Sequence, residues 1–423
     1  KPSFLTELLQ FVMSSASAQK VVFQSLQVPT AFVVNGTSIN SIEAAEAHLL
    51  GARAAALQAL PDEVEESCPA RVGFMGNPSD GFNGKTLSFL IDNFRAVVRI
   101  ERKPRGTGVE ITEPVFFSSL NALYNHSSKI GYTSGLRLLQ ATCAVFTLYC
   151  NRRGLSVHML RGLRMTYTTN IPRMVGLAGS SAIVTAAFNC LLKFHNLTIA
   201  DLGIEKTDLP KVILDVEQQE LGISAGLQDR VVQVFGGLMF MDFSNGTRMD
   251  DDTTFQGPTL LPLDKAMIPE MYLAYDAFAG GDSGTVHSTV ANRWAEQEKN
   301  LVDGMHQLGE LAQETVSLLQ TLHTLKDEDS IKNCKRKIAE LMQSNFVTRR
   351  SLYGDAVVGV KNIAVAELLK ARGLSAKFTG SGGAFICMRS DGGGWLNSAA
   401  EEEEVIDDLH KLGFAFERVK ISK

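Results

Sequence analysis

Short apolar runs with the two-residue period of a strand alternate along the chain with longer segments that have the period of a helix. Apolar and polar residues alternate over Leu163–Thr169, whereas apolar residues recur every three or four positions between 301 and 319. Further strands are predicted at 71–75, 87–101, 238–243, 271–276, 385–388 and 414–421, and further helices at 181–195 and 331–341. Strands and helices mixed in this way predict an α+β fold.

Residues 1–66 differ in composition from the rest of the chain. They are rich in Ala and Ser, and a helix is predicted at 41–60, where Pro61 would end it. The acidic run 62–66 is interpreted as a linker. We therefore predict an extension or linker of unknown role at 1–66, with an additional domain before residue 1 as an open alternative. The rest of the chain is predicted to form an N-terminal domain at 67–266 and a C-terminal domain at 267–423.

The composition argues against several classes of function. Lys plus Arg number 41 and Asp plus Glu 46, a net charge of -5, whereas nucleic-acid binding depends on basic patches. The uncharged stretches 21–42 and 174–192 are interrupted by polar residues and glycine, so neither predicts a membrane span. The six cysteines are scattered, and no two are spaced as a CxxC motif. This low cysteine density suits a reducing, cytoplasmic setting. We expect no nucleic-acid partner and no membrane partner.

Three glycine-rich segments carry the candidate chemistry: RVGFMGNPSDGFNG at 71–84, PRMVGLAGSSA at 172–182 and KFTGSGGA at 377–384. In the second segment, glycines let the backbone approach a ligand closely. Ser180 and Ser181 then begin a predicted helix, whose free N–H groups and dipole favour an anion. The alternative for this segment alone is a turn with a capping serine, and the third segment alone is typical of a turn between strands.

Taken in order, the three segments resemble the motifs of the GHMP kinase superfamily over residues 70–423. The resemblance narrows to the plant-type glucuronokinases through NPSD at 77–80, TNIPR at 169–173, ELGI at 220–223, AGLQDR at 225–230 and DSGTVHS at 282–288. The middle motif departs from the commoner GLGSSA by one extra residue, Ala178. The resemblance implies a two-domain fold, with an N-terminal domain like ribosomal S5 domain 2 and a ferredoxin-like C-terminal domain.

The resemblance also implies a binding site for ATP and Mg²⁺. The residues expected to bind phosphate are Gly176, Leu177, Ala178, Gly179, Ser180, Ser181 and Ala182, together with Gly380, Ser381 and Gly382. The metal is expected between Ser181 and Glu217, with Glu220 as the alternative ligand, because Mg²⁺ prefers oxygen donors.

Two residues are expected to act in catalysis. Asp229 matches the family's catalytic Asp, which accepts or orients the proton of the attacking hydroxyl, and its alternative role is a helix cap. Arg71 matches an Arg that supports charge on the phosphoryl oxygens.

Asn77, Asp80 and Asp229 match positions that contact the sugar. Galactokinase-like members have Glu where this chain has Asn77, and a glutamate there would repel a carboxylate at C6. The change suits glucuronate, so the expected reaction makes glucuronate 1-phosphate, which feeds UDP-glucuronate synthesis. The cation that meets the uronate carboxylate is left open among Lys85, Arg230, Arg293, Arg349 and Arg350. The alternatives are another small-molecule GHMP kinase, for galacturonate or galactose, and a catalytically silent sensor with the same fold.

Overall fold

The structure, a computed structural model, describes residues 32–34, 37–39, 61–104, 107–111, 115–117, 119–130, 136–155, 162–245, 248–250, 254–277, 290 and 292–422. The predicted helix at 41–60 and the motif at 282–288 lie outside these residues. The chain divides into two compact units, the first with residues 1–66, 98–167 and 186–209, and the second with 67–97, 168–185 and 210–423. The predicted boundary at 266 falls between the strands of two different sheets and stays a prediction.

Three long elements contribute residues to both units: strand β3 (Glu63–Met75), strand β4 (Lys85–Arg102) and helix α3 (Gly179–Phe194). The interpretation of 62–66 as a linker is wrong, because β3 already begins at Glu63. The acidic side chains of this stretch face basic ones on neighbouring elements, with Asp62 3.1 Å from Arg102 and Glu63 2.5 Å from Arg99. A run of charges therefore forms the start of a strand, where ion pairs with distant residues hold it.

The described residues of the first unit form short strands, two complete helices and the last part of α3. Strand β1 (Phe32–Val34) pairs antiparallel with β2 (Thr37–Ile39), and β5 (Val109–Ile111) pairs antiparallel with β6 (Val115–Phe117) and parallel with β7 (Leu163–Thr169). The helices are α1 (Leu120–Ile130) and α2 (Arg137–Arg152). In the core, the Phe146 and Phe188 rings meet edge to face with centroids 5.8 Å apart, which is a favourable aromatic geometry.

The second unit contains an antiparallel set of strands that supports the glycine-rich loops. Strand β8 (Leu238–Asp242) lies between the start of β4 and strand β11 (Thr259–Leu263), and the remaining pair is β9 (Arg248–Asp250) with β10 (Thr254–Gln256). Its helices are α4 (Leu209–Asp215), which continues into a π-helical turn (Val216–Glu220), and α5 (Leu227–Phe235). Apolar residues of α5 and β8, among them Val231 and Met239, form a buried cluster that fixes α5 on the sheet.

The second unit also contains a four-stranded antiparallel sheet in the order β13 (Leu374–Phe378), β14 (Ala384–Arg389), β12 (Tyr272–Asp276) and β15 (Phe414–Arg418). Helices α6 (Lys299–Thr324), α7 (Glu328–Tyr353), α8 (Asp355–Val358) and α9 (Val360–Ala371) precede β13, and α10 (Ala399–Lys411) precedes β15. This strand and helix order is ferredoxin-like. The α+β expectation is confirmed, and none of the helices that the described residues form is both long and apolar enough to cross a membrane.

Candidate active site

Arg71 and Asp229, both in the second unit, form a largely buried ion pair. Arg71 projects from β3, and Asp229 lies in the first turn of α5. The Nε atom of Arg71 donates to Oδ1 of Asp229 at 2.8 Å, and Nη2 donates to the same oxygen. The exposed fraction is 5% for the Arg71 side chain and 20% for Asp229, so the carboxylate keeps an accessible side.

The three glycine-rich segments predicted from the sequence meet around Arg71. Its Nη1 atom donates to the carbonyl oxygens of Thr379 at 2.5 Å and of Gly176 at 3.2 Å. A Cβ atom on Gly176 would lie 2.6 Å from the amide nitrogen of Ser381, and one on Gly380 would lie 2.2 Å from the Gly176 oxygen. Both positions therefore require glycine, because the two backbones touch.

The extra residue of the middle loop, Ala178, adopts a left-handed conformation with φ of 60°. Its carbonyl oxygen accepts hydrogen bonds from the Ser181 hydroxyl and from the side-chain amide of Gln233, both at 3.1 Å. These bonds compensate for a backbone region that is costly for an L-residue. The insertion is thus absorbed by one residue's conformation, and α3 still begins at Gly179.

Glu217, in the π-helical turn, is fully buried and forms an ion pair with Arg230. Burial by itself would lower the pKa of Arg230, but the carboxylates of Glu217 and Asp229 raise it. Among the described residues, Oε1 of Glu217 has no hydrogen-bond partner. Glu220, three residues later, is only half-buried.

A metal ion would have few protein ligands in this unit. No three His, Cys, Asp or Glu side chains converge as a metal site within the described part of the chain. The unpartnered oxygen of Glu217 and the buried hydroxyl of Ser181 are oxygen donors of the kind that Mg²⁺ prefers. As residue types, each suits a cation that takes its remaining ligands from phosphate and water.

Asp80 lies in the short helical turn Ser79–Phe82 and points at the start of α5. A Cβ atom on Gly226 would lie 2.7 Å from Oδ2 of Asp80, so the carboxyl group approaches the helix backbone closely. Burial and the negative charge of Asp229 raise the pKa of Asp80 to about 7, against the opposing effect of Arg71. At neutral pH this carboxyl group can both donate and accept a hydrogen bond.

Asn77 is buried, and both ends of its amide are engaged by the protein. Its Oδ1 atom accepts a hydrogen bond from Nζ of Lys377 at 2.5 Å, and its Nδ2 atom donates to the Phe378 carbonyl at 3.2 Å. Lys377 also donates to the carbonyl of Gly73 at 2.8 Å. The amide therefore ties the first loop to β13, and it keeps one N–H and one oxygen lone pair beyond these two bonds.

The five candidate cations for a uronate carboxylate have different surroundings. Four have acidic partners: Lys85 pairs with Glu310, Arg230 with Glu217, Arg293 with Glu298 and Arg350 with Asp355. Arg349 is buried and instead donates from Nη1 and Nη2 to the carbonyls of Gly380 and Ser381, at 2.6 and 2.9 Å.

Three residues without a role predicted from the sequence also hold the loops of the site: Lys377, Thr379 and Gln233. Lys377 carried a usable signal, since it is a charged residue in a strand whose other members are apolar or small. All five residues of that strand are buried. A buried lysine requires acceptors, which here come from the first glycine-rich segment.

Comparisons with known proteins identify the family to which this chain is similar. Residues 139–237 match the family model of the GHMP kinases N terminal domain. The chain is 40% identical to Glucuronokinase 1 of Arabidopsis thaliana over 364 residues, which are 85% of this chain and 92% of that protein. It is also 40% identical to Probable glucuronokinase 2 of the same plant, over 83% of this chain and 90% of that one.

Solved structures share the fold at low sequence identity. Mevalonate kinase of Methanococcus jannaschii superposes with a TM-score of 0.62 at 14% identity, over 85% of this chain and 99% of that one. Galactokinase of Lactococcus lactis, solved with galactose, superposes with a TM-score of 0.58 at 12% identity, over 89% of this chain and 98% of that one.

Proposed function

The chain belongs to the glucuronokinases of the GHMP kinase family, which are ATP-dependent phosphotransferases with an alcohol acceptor, and we propose that it phosphorylates D-glucuronate at the anomeric hydroxyl. The observation that carries the proposal is the Asp229 carboxylate, fixed by Arg71 beside Asp80 and the glycine-rich loops. The product is glucuronate 1-phosphate, a precursor suited to the synthesis of UDP-glucuronate.

Asp229 acts on the attacking hydroxyl. Arg71 occupies Oδ1 of Asp229, so Oδ2 remains for the anomeric proton, with only a long contact of 3.4 Å to Arg230. As the proton moves to this oxygen, the anomeric oxygen bonds to the γ-phosphorus and the bond to the bridging oxygen of ADP breaks. The guanidinium of Arg71, bound to Oδ1, holds the Asp229 carboxylate in one orientation for this step.

The loop 176–182 binds the triphosphate. Its last residues begin α3, where free backbone N–H groups and the helix dipole favour phosphate oxygens. Contact between the backbones of Gly176 and Gly380 holds the third segment against this loop, so Gly380, Ser381 and Gly382 form the adjoining wall.

Ser181 and Glu217 would hold Mg²⁺. The hydroxyl of Ser181 donates a hydrogen bond to the Ala178 carbonyl, so the lone pairs of its oxygen remain available. Glu217 contributes its unpartnered Oε1 atom. When bound, the metal shields the charge of the phosphates. Arg230 neutralises the other oxygen of Glu217 and fixes its orientation.

Asp80 and Asn77 shape the sugar site. Asp80 can exchange hydrogen bonds with sugar hydroxyls in either protonation state. Asn77 supports the site without adding a negative charge, which suits an anionic sugar. All six cysteines are free and buried, which is consistent with our proposal that the protein works in the reducing cytoplasm.

A coupled assay for ADP release tests the proposal across D-glucuronate, D-galacturonate, D-galactose and mevalonate. Phosphorus NMR of the product then identifies the phosphorylated oxygen. We expect the highest kcat/KM with D-glucuronate and a phosphate on C1. Equal rates with galactose, or phosphate on another carbon, would refute the assignment, and no turnover with any sugar would favour the silent sensor.

A further inference from the structure

Arg349 is a buried cation of the candidate active site with no acidic partner among the described residues. Its exposed fraction is 4%, and its two hydrogen bonds go to neutral backbone carbonyls, those of Gly380 and Ser381. Its neighbour Arg350, in contrast, forms a surface ion pair with Asp355, as arginines commonly do. Burying a guanidinium without a counter-charge is costly unless a ligand supplies that charge.

The guanidinium of Arg349 is held in a fixed orientation. Its Cζ atom lies 4.9 Å from the ring centroid of Phe378 and 5.3 Å from that of Tyr353. Both contacts are in the range of cation–π interactions. A guanidinium carries five N–H donors, and the two backbone carbonyls use two of them. A planar group with donors to spare matches the two oxygens of a carboxylate.

The helix that carries Arg349 also positions the first glycine-rich segment. One turn earlier on α7, the side chain of Asn345 accepts from the amide of Gly76 at 2.8 Å and donates to the carbonyl of Asn77 at 3.4 Å. Residues four apart lie on one face of a helix. The same face of α7 therefore holds both the segment that carries Asp80 and the loop that carries Ser381.

The charge of Arg349 acts on the proposed sugar site. Burial lowers the pKa of Arg349, while the nearby Tyr353 and Asp80 raise it. Burial raises the pKa of Tyr353, and Arg349 lowers it. Asp80 affects the pKa of Arg349 without pairing with it, and its carboxyl group can bind a sugar hydroxyl, whereas it would repel a triphosphate. Of the two anions in the reaction, the sugar acid is therefore the better match for this position.

We propose that Arg349 binds the carboxylate of the uronate substrate and selects uronates over neutral hexoses. The inference rests on the proposed function, because it assumes a sugar acid as acceptor. Arg349 takes this role because the other four candidate cations are already neutralised by carboxylates. Tyr353, one turn later on α7, packs on the guanidinium and keeps it in place.

The test compares Arg349→Met and Arg349→Lys with the matched control Arg350→Met. We measure the KM values for D-glucuronate and ATP, and the inhibition constant of D-glucose, which lacks the carboxylate. Arg349→Met should raise the KM for D-glucuronate by roughly 10–100-fold, the value of charge-assisted hydrogen bonds, and leave the other two constants unchanged. The KM of Arg349→Lys for D-glucuronate should lie between those of the wild type and Arg349→Met, because lysine keeps the charge but cannot donate two parallel hydrogen bonds. Arg350→Met should behave as the wild type.

Two results would overturn the inference while the proposed function stands. One is an unchanged KM for D-glucuronate in a folded Arg349 variant of an active enzyme. The other is an equal rise in the KM for ATP, which would mean that Arg349 only orders the loop at Gly380 and Ser381. If Arg349→Met does not fold, Arg349→Lys decides by the same criteria. A wild-type enzyme that does not phosphorylate glucuronate would instead refute the proposed function, and the inference with it.

Discussion

The ammonium group of Lys377 is bound to the side chain of Asn77, with Nζ 2.5 Å from Oδ1. Two carbonyl oxygens, of Gly73 and Phe378, complete a set of three acceptors at 2.8 and 2.6 Å. Burial lowers the pKa of Lys377, and the positive charges of Arg349 and Arg71 lower it further. The lysine thus links the first and third glycine-rich segments without a carboxylate.

Lys377→Met should therefore lower the stability of the second unit. The Phe378 carbonyl keeps the hydrogen bond from Nδ2 of Asn77, but Oδ1 of Asn77 and the Gly73 carbonyl lose this donor. At about 1–3 kcal/mol for each buried acceptor, we expect a loss of about 2 kcal/mol or more in the free energy of unfolding. Urea unfolding measures this loss. The control is Lys370→Met, because Lys370 is exposed on α9. Equal stability of the two variants would show that the buried lysine contributes no more than a surface one.

Asp229→Asn should lower kcat by about 10²–10⁴, the usual share of general base catalysis. The amide keeps the size of the carboxylate and can still hydrogen-bond a sugar hydroxyl, so the KM for the sugar should change much less. Arg71→Ala should also lower kcat, and the double variant should lose less than the product of the two single losses, because both residues act in one step. Steady-state kinetics with melting temperatures on the three variants measure this. A purely structural ion pair would instead lower the melting temperature of each single variant and spare kcat.

Asp80→Asn should stabilise the fold, and more at pH 8 than at pH 5. The pKa of Asp80 is raised to about 7 in the folded chain, whereas an unfolded Asp titrates near 4. Between these values the folded state holds a proton that the unfolded state releases, so the wild type loses stability as the pH rises to about 7. Asparagine removes this loss. Melting temperatures at both pH values measure the difference.

The control for Asp80→Asn is Asp303→Asn, because Asp303 is exposed on α6. It should show no such pH dependence. We also expect Asp80→Asn to raise the KM for the sugar by about 10-fold through one impaired hydrogen bond. An Asp80 variant whose gain in stability does not grow with pH would contradict the raised pKa.

Gly179→Val should weaken ATP binding without unfolding the protein. A Cβ atom at this position would lie 3.4 Å from Ile171, an ordinary contact, whereas the added bulk would crowd the backbone that approaches phosphate. We expect the KM for ATP to rise by about 10-fold, with a strain cost to stability of no more than about 1 kcal/mol. Gly176→Ala, in contrast, should lower the melting temperature, because the added Cβ atom would overlap the backbone of Ser381. An unchanged KM for ATP in Gly179→Val would place the phosphate elsewhere.

Glu217→Gln should raise the Mg²⁺ concentration that gives half-maximal activity by roughly 10–100-fold, as expected when a metal site loses a charged group. Glu220→Gln is the matched control, since Glu220 lies three residues along the same π-helical turn. Titration of activity with Mg²⁺ measures both variants. A larger effect in the control would assign the metal to Glu220.

The sequence was sufficient to predict the three loops and the elements that carry them. Glycine spacing and capping residues are local signals, so the start of α3 and the strand Leu163–Thr169 follow from short windows. The acidic run at 62–66 was misread because its ion-pair partners, such as Arg99 and Arg102, lie far along the chain. Local charge density gives no information about partners of this kind.

The hydrogen-bond partners inside the site also could not be predicted from the sequence. Asn77 and Lys377 are 300 residues apart, and their hydrogen bond depends on two loops meeting in the fold. The five candidate cations looked equivalent as residue types. Only the structure distinguishes Arg349 from the other four, through the acidic partners that those four have. A contact between Asn77 and the sugar stays a prediction.

The six buried cysteines have a practical consequence for following the unfolding of this protein. Burial raises the pKa of the thiols of Cys143 and Cys150, in the first unit, and of Cys68, in the second, to about 12. Since the thiolate is the reactive form, alkylating reagents should modify these positions only after the surrounding structure opens. Pulsed alkylation read by mass spectrometry would therefore time the opening of each unit separately, with no dye or engineered label.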